Sequence, residues 1–377
     1  MRIAFDAKRA THNGTGLGNY SRFVLNTLST YNSDNEYLLF TPSAGKPSLR
    51  SKINNGLNIQ YRFPKGFWKG FGVKSIWRSY GIVSDINLEN MDIYHGLSNE
   101  IPFGLQKSGV KSVVTIHDLI FLRYPEFYKP IDRLIYKFKF KRACQKADRV
   151  IAVSEMTKRD IVDFFNISPD KIDVIYQGCD NSFKVAAAEE LKKQVKEKYK
   201  LPDNYILYVG TIESRKNLLL ALKALKESSN KIPLVAVGRP TPYMNEVKQY
   251  IKENGLENLV TFLHGVPFGD LPAIYQQATI FVYPSFFEGF GIPIIEALYS
   301  GIPVIAATGS CLEEAGGPDS IYVNPNSVEQ MRDAMSYLIN NPDQRNKMIA
   351  SGKQYAKVFD EENIALELQK LYNKLID

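Results

Sequence analysis

Cysteine is scarce: Cys144, Cys179 and Cys311 are the only three in 377 residues. An odd number of widely separated thiols gives neither a disulfide framework nor a metal-type spacing, which implies reduced thiols and a cytoplasmic setting. Long apolar runs are absent too. Nothing approaches the ~18 residues that cross a bilayer, so no membrane span is expected. The N-terminal MRIAFDAKRA carries Asp6, Lys8 and Arg9 where a secretion signal needs an unbroken apolar core, and export is not expected. In the glycine run GTGLGN (14–19), Asn19 occupies the third glycine's place of a dinucleotide fingerprint, which excludes NAD binding.

What is present is a globular composition, 44% hydrophobic and 23% charged, too apolar for a largely disordered chain. The length exceeds one ordinary core and favours two domains. Short β-rich runs alternate with helical patterns, predicting an α/β fold of parallel sheets built from βαβ units. Strands are expected at 2–7, 36–40, 58–63, 92–96, 112–118, 149–154 and 172–178. A charged, core-poor stretch, 181–204, reads as linker and connecting helix. Strands resume at 205–211, 232–238, 259–265, 279–285, 301–307 and 320–325. The economical architecture is two Rossmann-like domains facing each other across a cleft. Charge is uneven: residues 1–180 hold 26 Lys and Arg against 17 Asp and Glu, whereas residues 181–377 hold 21 against 23. The basic half suits an anionic partner, or is a solvated mixed surface. Nucleic acid is not expected, because no recognition motif accompanies the charge.

Two stretches carry chemistry. In VGTIESRKNLLLAL (209–222) a strand turns through Gly210 into a helix near Asn217. Arg215 and Lys216 stand at that helix start, where cations oppose the helix dipole unless an anion is bound. With free amides they form a diphosphate site; the plainer reading is a solvated pair. FVYPSFFEGFGIPIIEAL (281–298) repeats the design, and its Gly289 and Gly291 allow close backbone approach to a ligand. Glu288 lies in the loop. Glu296 is a carboxylate among Ile294, Ile295, Ala297 and Leu298, costly to bury unless something binds it. Both carboxylates suit the hydroxyl pairs of a sugar; a capping or salt-bridge role is the alternative for Glu296. His117, in TIHDLIF, ends a strand, and on its own reads equally as a structural histidine.

These blocks belong to a larger pattern. GTGLGNYSRFVLNTL (14–28), VVTIHDLIFLRYPEFY (113–128), VIAVSEMTKRDI (150–161), GTIESRKNL (210–218), EGFGIPIIEA (288–297) and GSCLEEAGG (309–317) resemble, in order, blocks of the retaining glycosyltransferases of family 4. That resemblance spans nearly the whole chain and implies the GT-B fold. It implies an N-terminal acceptor-binding domain at 1–185 completed by a C-terminal helix at 360–377, and a nucleotide-sugar-binding domain at 200–359. The apolar Ile364, Leu366, Leu368 and Leu371 fit such a returning helix.

By the same resemblance, His117, Glu288, Arg215 and Lys216 are the catalytic set. Glu288 contacts the donor sugar, and Glu296 the nucleotide ribose. Gly210, Gly289, Phe290, Gly291 and Ile292 bring backbone to the donor, Arg215 and Lys216 neutralise the departing diphosphate, and Gly16 lets the first domain close on the phosphates. The chain departs from the family pattern at Thr211, where arginine is frequent, and at Glu313, where proline is usual. No Asp-x-Asp occurs, so no metal is expected and no cofactor beyond a nucleotide-diphosphate sugar as co-substrate. The blocks are most similar to bacterial mannosyltransferases of polysaccharide assembly, which makes GDP-mannose the first choice of donor, with a glycan or lipid-linked acceptor. UDP-sugar donors stay open, as do a sugar-nucleotide 2-epimerase, a phosphorylase and a non-catalytic scaffold of the same architecture.

Two basic aromatic segments remain. Residues 61–80 carry Arg62, Lys65, Lys69, Lys74 and Arg78 among seven aromatics, and residues 127–146 predict an amphipathic helix with a basic face. Such mixtures suit an anionic membrane surface, placing the protein peripherally at the inner face of the cytoplasmic membrane, or are helices with aromatics packed inward.

Overall fold

The computed structural model describes residues 1–54, 56, 58–70 and 76–377; Lys74 lies outside the described residues. The chain divides into two compact units, Met1–Gly178 with Asp360–Asp377, and Cys179–Phe359.

The first unit is a seven-stranded sheet of β1 (Arg2–Asp6), β2 (Glu36–Phe40), β3 (Ile59–Arg62), β4 (Ile93–Gly96), β5 (Lys111–Ile116), β6 (Arg149–Ala152) and β7 (Ile172–Val174), in the order β3-β2-β1-β4-β5-β6-β7. All its pairings are parallel. Parallel strands are covered on both faces, which is why β2 and β6 are apolar from their second residue on. In this unit α1 (Gly16–Tyr31) carries Gly16 and Tyr20, and α2 (Pro130–Lys146) packs on β5. The core gathers Leu38, Trp77, Ile86, Ile116, Phe121 and Ile161.

The second unit begins before the expected linker, so residues 181–204 belong to it. There α3 (Glu189–Tyr199) packs on α5 (Leu271–Gln276) rather than spanning solvent. Between them in sequence lies α4 (Leu218–Glu227), and after them α6 (Ile292–Ser300). Its sheet, β8 (Ile206–Val209), β9 (Leu234–Val237), β10 (Val260–Leu263), β11 (Ile280–Tyr283), β12 (Val304–Ala307) and β13 (Ile321–Val323), runs β10-β9-β8-β11-β12-β13. Every pairing is again parallel. In both sheets the strand order reverses once, between β1 and β4 and between β8 and β11. Doubly wound sheets bind ligands beyond the strand C-termini at that reversal.

The last helix, α7 (Glu361–Ile376), returns to the first unit and packs on α1. It buries Ile364, Leu368, Leu371 and Tyr372, one helical stripe, whereas Leu366 is 52% exposed. Two residues from Ile364 is the opposite side of a helix with 3.6 residues per turn, so Leu366 does not belong to the docking stripe.

Candidate active site

The reversal point of the second sheet collects the polar residues of the two chemistry-bearing stretches. After β8 the chain passes Gly210 and makes a single 3-10 turn, Ser214–Lys216. It then reverses at Asn217, whose φ of 54° is left-handed, before α4 begins. Asparagine tolerates that conformation where most residues do not. Its Nδ2 donates to the carbonyls of Pro284 (3.2 Å) and Pro325 (2.8 Å), which ties the β8 loop to the loops after β11 and β13. A backbone bond from Phe286 N to Arg215 O, 2.9 Å, adds a second tie.

The two cations expected at this helix start do face an anion, and it is Glu288. Lys216 Nζ donates to Glu288 Oε1 at 2.9 Å, and Arg215 Nη1 lies 3.0 Å from Glu288 Oε2. Arg215 also bonds Glu213 at 2.7 Å and the Phe287 carbonyl. Tyr283, at the end of β11, accepts from Lys216 at 2.8 Å and donates to Glu288 at 3.1 Å. Arg215, Lys216 and Glu288 are 15%, 13% and 13% exposed, so water screens them weakly. Burial opposes ionisation of Glu288, but the Lys216 and Arg215 charges outweigh it and hold its pKa down to about 2. Arg215, desolvated yet flanked by Glu288 and Glu213, is held above the usual guanidinium range. Two cations and two carboxylates thus balance, and an incoming diphosphate would compete with Glu288 for the same donors.

The loop that carries Glu288 is held from below. Cys311, fully buried, has one S–H to share between the carbonyls of Glu288 (3.0 Å) and Phe290 (2.8 Å). Gly291 has φ of 137°, and a Cβ there would stand 3.1 Å from the Ala315 Cβ, so this turn requires glycine. No side chain caps α6, which starts at Ile292; Pro293 brings no N–H, and Ile294 N donates to the Gly291 carbonyl at 2.9 Å. Glu296, the fifth residue of α6, takes part in no ion pair among the described residues. Its Oε2 accepts from the hydroxyl of Tyr275 at 2.8 Å. Burial, reinforced by the field of Asp180 and opposed by the Tyr275 bond, raises its pKa to about 7.

His117 and Gly16 lie in the first unit. His117 follows β5 and its backbone N–H donates to Asn99 Oδ1 at 2.8 Å. Its Nε2 lies 2.9 Å from the Leu97 carbonyl, and a carbonyl only accepts, so Nε2 carries the proton and Nδ1 the lone pair. Burial pushes its pKa down to about 4, so the ring is neutral near pH 7. Tyr20 of α1 meets the ring edge-on, 4.6 Å between centroids. Gly16, the first residue of α1, stands one turn before Tyr20, and a Cβ at Gly16 would meet open space. Gly18 is the glycine that packing demands here, since a Cβ would fall 1.8 Å from the Asn13 carbonyl oxygen.

The structure therefore brings Arg215, Lys216 and Glu288 into contact, with Gly210 and residues 289–292 around them and Glu296 one turn into α6. Sequence reasoning named Asn217 only as the place where a helix starts, and it missed Tyr283, Tyr275, Cys311 and Tyr20 as site residues.

Comparison with known proteins places the chain in a family. The family model described as glycosyl transferases group 1 matches residues 189–355, and that of Glycosyltransferase Family 4 matches residues 21–183. The O-antigen chain mannosyltransferase B of Escherichia coli is 31% identical over 75% of this chain and 74% of its own length. The O-antigen chain mannosyltransferase RfbU of Salmonella typhimurium is 32% identical over 67% of this chain and 66% of its own. Among solved structures, a glycosyltransferase from Rickettsia africae superposes with a TM-score of 0.78 at 19% identity, covering 100% of this chain and 98% of that one. Anabaena HepE, solved with UDP and glucose, gives 0.76 at 18% over 100% of both chains, and these two likenesses establish the GT-B fold. With a 31% identical relative over three quarters of its length and family matches in both units, this chain belongs to glycosyltransferase family 4.

Proposed function

We propose that this chain transfers mannose from GDP-mannose, with retention of anomeric configuration and without a metal ion, to a glycan or lipid-linked acceptor in cell-surface polysaccharide synthesis. The observation that carries the reading is the Arg215–Lys216–Glu288 cluster at the reversal point of the second sheet. Transfer from a nucleotide diphosphate needs stabilisation of the departing charge, and an oxocarbenium-like centre. Arg215, Lys216 and backbone N–H at the start of α6 supply the first without a metal ion. Glu288, kept ionised, supplies a fixed negative charge, and binding of the diphosphate to its two partners releases that carboxylate toward the sugar. Glu296 takes the ribose hydroxyls. The Nδ1 lone pair of His117 accepts a hydroxyl of the transferred sugar, and the leaving phosphate takes the acceptor proton on the same face. The choice of mannose rests on the names of the curated relatives, two of which are O-antigen mannosyltransferases.

The test is thermal stabilisation by GDP, UDP, ADP and their sugars with EDTA present, because a ligand of the native state raises the melting temperature. A rise with GDP and GDP-mannose alone supports the reading. A rise with UDP instead keeps the chemistry and changes the donor, and no rise with any nucleotide overturns it.

A further inference from the structure

The helix α2 faces two ways. Phe140, Ala143 and Cys144 are buried against the first unit, as the inward-packing alternative requires. A second apolar stripe, Ile131, Leu134, Ile135 and Phe138, points outward, with Ile131, Leu134 and Phe138 exposed at 65%, 66% and 62%. Its spacing of i, i+3, i+4 and i+7 is that of one continuous helical face. A soluble helix that already buries one face has no reason to carry a second, and a contiguous exposed apolar patch marks an interaction site.

We propose that this outward face of α2 docks on an anionic membrane surface. Charge decides between occupants. From Pro130 to Lys146 the helix holds six Lys and Arg and a single acid, Asp132. With 3.6 residues per turn, Lys137 and Lys141 flank the stripe on one side and Lys139 on the other. No ion pair engages Lys137 or Lys141 among the described residues. A second copy of the chain, paired about a two-fold axis, would bring the same cationic flanks against each other. Anionic lipid accepts both parts at once, the stripe among acyl chains and the lysines at the headgroups. The neighbouring basic aromatic segment contributes apolar surface more than charge, since Arg62 pairs with Glu89 and Arg78 with Asp6. Its Tyr80 stacks on Phe103 at 4.8 Å, and Arg142 of α2 caps that ring at 3.8 Å, which joins the two surfaces.

The same helix sends Lys139 and Arg142 into a cavity at the C-terminal ends of β1 and β4, with Arg78, Asp6 and Glu100. Three cations against two carboxylates leave it positive at headgroup level, which favours an acceptor presented on a lipid phosphate. This consequence alone rests on the transferase reading.

The experiment is co-sedimentation with vesicles of phosphatidylglycerol or phosphatidylcholine, for the whole chain and for L134S/F138S and K137E/K141E. All four positions are half-buried or exposed, so the folded state is expected to persist, and nucleotide-induced melting shifts on each variant verify it. Wild type should bind phosphatidylglycerol and scarcely bind phosphatidylcholine. The apolar variant should lose about a hundredfold in affinity, and the charge reversal more than about tenfold. Equal binding by wild type and both variants overturns the proposal, as does binding to neither lipid. A concentration-dependent dimer abolished by L134S/F138S assigns the face to a second copy instead. Labelled sugar transferred into lipid-extractable product of a membrane fraction should fall in L134S/F138S while the melting shift stays. Unchanged transfer removes the acceptor consequence and leaves the docking result standing.

Discussion

Glu296 sits in α6 with the Tyr275 hydroxyl on its carboxylate, and burial lifts its pKa to about 7. An acid whose folded pKa is raised favours the fold most below its unfolded value near 4.5, and that contribution is lost as pH rises through 7. In the ribose-binding role proposed for Glu296 the hydroxyls donate, so donor binding would need the ionised form. Affinity for a nucleotide sugar, whose own phosphates do not titrate in this range, should therefore increase about tenfold between pH 6 and pH 8. Titration calorimetry at several pH values reads this directly, and E296Q should flatten the profile. A wild-type affinity independent of pH would remove the ribose role. Glu288 behaves oppositely. With its pKa held to about 2, it contributes stability above pH 4.5 that is lost only as pH falls toward that value. In E288Q the two cations lose an anionic competitor, so nucleotide diphosphate should bind as well or more tightly while kcat falls by at least about a hundredfold. Equal loss of binding and turnover would contradict the release of Glu288 by the diphosphate.

At the scale of elements, the turn into α6 depends on Gly291. Its φ of 137° and the 3.1 Å approach to Ala315 mean that G291A forces strain of about 1–3 kcal/mol into the loop that carries Glu288. A lowered melting temperature together with weaker nucleotide binding should follow, whereas alanine at Gly16, where a Cβ meets open space, should leave stability unchanged. The same contrast shows what was legible in sequence. Strands such as β8 and β11 declared themselves because parallel strands covered on both faces are continuous apolar runs that end in Gly or Pro. The helix starts at Asn217 and Ile292 were legible from the turn chemistry before them. What joins them was not. Lys216 meets Glu288 across 72 positions, and nothing local distinguishes a tyrosine such as Tyr283 or Tyr275 that orients a carboxylate from one that fills a core. The partition of the chain was read late for a similar reason. A charged helix such as α3, with one buried residue, Val195, looks like a linker until α5 is known to pack on it.

For the whole molecule, the first unit is discontinuous in sequence, and α7 closes it. That helix buries Ile364, Leu368, Leu371 and Tyr372, each worth about 1.5–3 kcal/mol against exposure. It also completes a buried polar chain. Tyr372 meets His95 Nδ1 at 2.7 Å, His95 Nε2 meets Thr115 at 2.8 Å, and Thr115 meets Tyr20, the residue packed on His117. His95 is fully buried and its pKa is pushed down to about 3, so it stays neutral and relies on both partners. Deleting residues 360–377 removes four apolar anchors and leaves a buried imidazole nitrogen unpaired, a combined cost comparable to the 5–15 kcal/mol margin of a typical domain. Hydrogen exchange should then show β1, β4 and α1 losing protection while β8, β11 and α6 keep theirs. Y372F removes the hydroxyl alone and should cost about 1–3 kcal/mol, with exchange raised around β4 and β5 and kcat lowered through the Tyr20 contact on His117. Loss of protection in both units alike after the deletion would mean that they unfold as one cooperative body, and α7 would then be a fastening for the whole chain and not for its first unit.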